Sequence, residues 1–119
     1  MPRNTALQLR TIIRGVQKAG VKLTPGVYLR EREDQITACG AGGVAIASLG
    51  LEGAKNIIFR GPGDTITDIA NAVGIERDKL AKLEQGFMGW GDAGVRGKMR
   101  RYYNMGVKLR ENHAIGALD

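Results

Sequence analysis

The chain is poor in the residues that build most enzyme centres: one cysteine, one histidine, three prolines and 5% aromatics in 119 residues. Its single cysteine, Cys39, closes no internal disulfide, which favours a reducing, cytoplasmic setting. Cys39 and His113 together fall short of a zinc ligand set, so neither metal nor any other cofactor is expected. Cysteine–histidine catalysis needs the two groups within about 3 Å of each other and usually a third, orienting group. His113 lies in the final tail, and Cys39 reads instead as a small buried apolar residue, so the chain is expected to be noncatalytic. Long apolar runs are missing too: Gln8, Arg10 and Arg14 interrupt the N-terminal segment, and no stretch nears the ~18 apolar residues of a membrane span. No membrane partner is expected.

Glycine and positive charge are plentiful. There are 18 glycines, where an average chain of this length carries about eight. They follow no period, which excludes collagen-like and repeat architectures and points to tight turns and close helix contacts. The net charge of +6 is unevenly placed. Residues 1–22 hold Arg3, Arg10, Arg14, Lys18 and Lys22 without an acid, and residues 96–110 hold Arg96, Lys98, Arg100, Arg101, Lys108 and Arg110, again without one. Between 31 and 92, ten acids face six bases. Two basic ends around an acidic middle attract a polyanion if the fold brings them together.

Periodicity predicts a mainly α protein, 1–119 as one domain: a compact bundle of four or five short helices carrying a small β-hairpin. Leu9, Ile12, Ile13 and Val16 define a helix over 4–19, with Asn4 or Thr5 at its start and Gly20 as its stop. Residues 27–29 and 35–37 read as hairpin strands around a charged turn, 30–34. Residues 40–50 read as a central helix of small side chains, and 56–59 as a short strand or extended piece. Gly61-Pro62-Gly63 breaks the chain before helices over 65–73 and 76–86, joined at Gly74. Residues 86–94 read as a glycine-rich loop, followed by a basic helix over 95–112 in which Gly106 marks a packing crossing.

The stretch 65–86, TITDIANAVGIERDKLAKLEQG, resembles the helix-turn-helix of phage-repressor and Cro-type DNA-binding proteins. Ala70 matches the small residue where the first helix crosses the second, Gly74 the turn, and Ile75 the apolar residue after it. Leu80 and Leu83 match the anchors of the second helix, and Glu84-Gln85-Gly86 its usual Glu-x-Gly end. Ile69 and Val73 complete the first helix's apolar face. Glu76 stands where the family commonly carries Ser or Thr, although an acid there suits the helix dipole. The resemblance implies noncatalytic binding of double-stranded DNA by a small regulator, with residues 76–84 as the groove helix. Arg77, Lys79 and Lys82 would touch the groove and Arg96, Arg100 and Arg101 the phosphates. A homodimer would add specificity that one short helix lacks.

The rival reading is a protein partner held by the 86–94 loop through Phe87, Met88, Trp90 and Tyr103. Folded back, the same aromatics close the core and leave Trp90 partly accessible. Tyr102 is expected in the core and Tyr103 nearer the surface. Over residues 25–110 the layout is also similar to small bacterial and bacteriophage proteins. The shared elements are Cys39-Gly40-Ala41-Gly42, Val73-Gly74-Ile75, Gly86-Phe87-Met88-Gly89 and Tyr102-Tyr103-Asn104-Met105-Gly106, a resemblance that implies no activity. Gly40 to Ala45 also fits a dinucleotide-type glycine pattern, but no second βαβ half follows it.

Overall fold

The computed structural model describes residues 8–59, 63–90 and 97–114. Helix α1 (Leu9–Ala19) buries Ile12 and Val16 and turns Arg10, Arg14 and Lys18 outward, as its stripe dictates. It stops at Gly20, whose left-handed backbone (φ 72°) returns its amide to Gln17 and Val16. The expected caps at Asn4 and Thr5 lie outside the described residues.

Strands β1 (Val21–Leu23), β2 (Leu29–Arg32) and β3 (Gln35–Ala38) form one mixed sheet in the order β1-β3-β2. The hairpin is present as β2 against β3, with Leu29 opposite Ala38 and Arg32 opposite Gln35. It differs from expectation in its first strand, which lies at 29–32 rather than 27–29. Arg30, Glu31 and Arg32, read from sequence as a turn, are strand residues. Their charge suits an edge strand that should not recruit another. Strand β1 lies outside the expected hairpin: Val21-Lys22-Leu23 alternates correctly but spans three residues, and it pairs in parallel with β3. It hides Val21 and Leu23 against the helices.

Helix α2 (Gly40–Ile58) runs through the centre, and every residue from Gly40 to Ile46 is buried. Glycine is required where backbones nearly touch: a Cβ on Gly42 would stand 1.9 Å from the Tyr28 carbonyl oxygen. The helix bends at Gly50 (φ 76°) and continues to Ile58, which corrects the extended piece expected at 56–59. Ile57 and Ile58 favour strand in isolation. The 3/4 spacing of Leu51, Ala54 and Ile58 makes them one face of a helix packed on the next element.

Helices α3 (Thr65–Val73), α4 (Arg77–Met88) and α5 (Lys98–Ala114) complete five helices among the described residues. Helices α4 and α5 cross at two glycines. A Cβ on Gly86 would lie 2.0 Å from the Tyr103 carbonyl oxygen, and one on Gly106 2.0 Å from that of Leu83. Gly106 is therefore the crossing its sequence position suggests. Gly86, Phe87 and Met88 extend α4 rather than opening a loop; residues 91–96 lie outside the described part.

Candidate nucleic-acid interface

Helices α3 and α4 are joined through a tight turn. Gly74 adopts a left-handed conformation (φ 86°, ψ 35°), and the amides of Gly74 and Ile75 both donate to the Ala70 carbonyl, at 2.9 and 3.0 Å. Ile69, Ala70, Ile75, Leu80 and Leu83 are buried, and Val73 is half-buried. Leu80, Leu83, Glu84 and Phe87 give α4 its inner face, and Gly86 receives α5. The opposite face carries Arg77, Asp78, Ala81, Lys82 and Gln85, each exposed or partly so.

The three cations expected in the groove are not equivalent. Arg77 opens α4, with its side chain half exposed, and bonds back to α3 through Asp64 at 3.1 Å and Thr67 at 2.9 Å. Lys79 turns toward α5: its ammonium pairs with Glu76 at 2.7 Å and lies 5.5 Å from the centre of the Tyr102 ring, leaving the side chain 25% exposed. Glu76 accordingly titrates below, and Lys79 above, its ordinary value. Lys82 donates to Gln85 one turn on, at 3.2 Å, and stays on the outer face. Arg101 is exposed and Arg100 lies over the Tyr103 ring at 5.7 Å; Arg96 lies outside the described residues.

Elements from the two acid-poor ends adjoin one another. Helix α1 packs against β1 and α5, and α5 also touches β1, so Arg10, Arg14, Lys18 and Lys22 belong to elements adjoining the basic α5.

The aromatic set is dispersed. Phe87 is fully buried, Met88 half-buried, and Trp90 is 57% exposed. Tyr103 is buried and its hydroxyl donates to the Trp90 carbonyl, whereas Tyr102 is the more open of the pair. This reverses the expected roles of the two tyrosines. The α4–α5 crossing at Gly86 and Gly106 faces Tyr103 inward, and the flanking Arg100 can lie on that ring's accessible side.

Sequence reasoning missed the role of Glu84. This acid, 8% exposed, accepts the Ala41 amide at 2.9 Å, taking up one of the free amides that open α2, whose own cap residue Cys39 supplies no side-chain bond. Burial, and then the adjoining Glu84 carboxylate, push the Cys39 thiol well above its ordinary range and keep it protonated. Burial and Glu84 likewise raise Tyr28. The same packing fills the dinucleotide-like glycines: a carboxylate stands where a phosphate would have to approach, and Phe87 covers Gly40. An inward-facing acid on the helix-end motif was the available signal, but it reads as a family letter unless α2 is known to end against it.

Among the described residues no group of three or more His, Cys, Asp or Glu side chains could hold a metal, and no helix is long and apolar enough to cross a membrane. No family model, curated protein or solved structure matches the chain.

Proposed function

We propose that the protein is a noncatalytic binder of double-stranded DNA, with α4 lying in the major groove and the basic α5 serving phosphates. The observation that carries this reading is the α3–α4 turn at the left-handed Gly74, after which α4 presents a polar face of exposed and half-buried side chains, Arg77, Asp78, Lys82 and Gln85. A helix of this diameter suits a groove about 12 Å wide. On that face Lys82, Gln85 and Arg77 offer donors to base edges, and Arg100 and Arg101 offer charge to the backbone. Lys79 contributes less, because Glu76 and Tyr102 already engage it. A homodimer would set two α4 helices on successive turns of the duplex.

The test is a salt titration of full-length protein on duplex DNA, comparing the wild type with R77A/K79A/K82A. The wild type is expected to lose affinity steeply as salt rises, and the triple variant to bind more weakly with a shallower salt slope. Equal binding by the two proteins would reject α4 as the groove helix.

A second reading is favoured by Trp90, a large aromatic left exposed at the end of α4 and held at its carbonyl by Tyr103. It would anchor a protein partner, and such binding should respond weakly to salt and strongly to W90A.

A further inference from the structure

Asp64 occupies the residue before α3, where its carboxylate does not make the standard side-chain cap bond, although the Thr67 amide of that first turn helps hold its pKa down. Its Oδ2 instead accepts the Thr67 hydroxyl at 2.7 Å and, from Arg77, both Nε at 3.2 Å and Nη2 at 3.1 Å. The Thr67 oxygen in turn accepts Arg77 Nε at 2.9 Å. The hydroxyl, then the guanidinium, hold the Asp64 carboxyl below its usual range, so the cluster is charged and complete at neutral pH.

A guanidinium has two donor edges, a side edge of Nε–H with Nη2–H and an end edge of Nη1–H with the second Nη2–H. Asp64 and Thr67 occupy the side edge. The nearest acid at the end edge is Asp78, whose Oδ1 is 3.8 Å from Nη1, too far for a hydrogen bond. Arg77 is half exposed and is the first residue of α4, the part of a groove helix that meets base edges. An end edge that Asp78 meets at ion-pair distance, without a hydrogen bond, keeps its donors for the fork that fits guanine O6 and N7.

We propose that Asp64 and Thr67 are positioning residues that aim the end edge of Arg77 at a guanine in the major groove. The inference rests on the DNA-binding reading and adds to it a base preference and the residues that set it. The cluster would act in two ways. It fixes a flexible side chain before binding, which lowers the ordering cost at the moment of contact. It also offsets one cation near the phosphates, which weakens attachment to unrelated sequence.

The experiment selects sites from a random duplex pool with the full chain, then titrates the selected duplex, its guanine-replaced form and an unrelated duplex. The wild type should enrich one fixed guanine per site, and replacing it should weaken binding about tenfold. Asp64→Ser keeps a helix-capping residue but is too short to reach Arg77. It should lose the preference at that position, weaken the selected duplex about fivefold to tenfold, and bind the unrelated duplex as well as or better than the wild type. Arg77→Lys should keep the charge and lose the guanine. An Asp64→Ser protein with the guanine preference intact, or weakened equally on all three duplexes, would overturn the positioning role and leave DNA binding standing. A wild type that binds every duplex alike would overturn base reading, and one that binds none would remove the DNA reading itself.

Discussion

Glu84, reaching across from α4, and Asp64 each place a carboxylate at the N-terminal end of a helix, α2 and α3 respectively, but Glu84 is 8% exposed and the Asp64 side chain 52% exposed. The positive end of a helix attracts both, and what differs is the alternative open to their partners. Without Glu84 the buried Ala41 amide would lack its charged acceptor in a region of Gly40, Ala41 and Phe87 that is closed to water. Without Asp64 the Arg77 guanidinium and the Thr67 hydroxyl would turn to solvent. One acid is therefore part of the interior assembled by α2, α4 and α5. The other organises a surface on α3 and α4 at little cost to the fold.

The comparison breaks most severely in the interior. Gly106→Ala should cost about 3 kcal/mol or more in urea unfolding, because its Cβ meets the backbone of Leu83 and Phe87 rather than a side chain that can turn away. Glu84→Ala should cost about 2–3 kcal/mol by the same measurement, the cost of stranding a buried donor that had a charged acceptor, and Glu84→Gln less, since an amide oxygen can still accept. A cost for Glu84→Ala as small as that of Asp64→Ser would erase the distinction between the two sites.

Cys39 sharpens the contrast through pH. Its folded thiol titrates well above the ordinary value of 9.0, so above that value the unfolded chain loses the proton while the folded chain keeps it. Its contribution to stability is therefore fully present below about pH 9 and declines as pH rises beyond it, a slope that Cys39→Ala should remove. At neutral pH the thiol should react with iodoacetamide only through unfolding, with a labelling rate that follows denaturant. The smallest effect belongs to the surface cluster. Asp64 has a depressed pKa, so its contribution is present above the ordinary carboxyl range and fades as pH falls through the folded value; solvent screening keeps it small. Asp64→Ser should leave the thermal midpoint close to the wild type.

Much of this fold was legible because local signals agreed with one another. The stripe in α1 with its stop at Gly20, the Gly74 turn between two short apolar faces, and the small-residue core helix each stated the same structure at the level of residue type and of period. The failures came where distant contacts decided. Ile57 and Ile58 favour strand until the upstream helix and α3 claim them, and three residues at 21–23 become a strand only because β3 lies alongside. Tyr102 and Tyr103 exchanged places because helix phase, fixed by the Gly86–Gly106 crossing, chooses between neighbours that composition leaves equal. In the candidate site, charge and position single out Arg77 and Lys82 as candidates. The Asp64–Arg77 bond, thirteen residues apart across a turn, and the inward Glu84 needed the packing to be seen.

The central claim is that the outer face of α4 meets the duplex. Its most direct test is an amide chemical-shift map of the full chain titrated with duplex DNA. The account predicts the largest shifts along residues 77–85, with a second set in α5 at Arg100 and Arg101. Shifts gathered around Trp90, or none at all on α4, would contradict it.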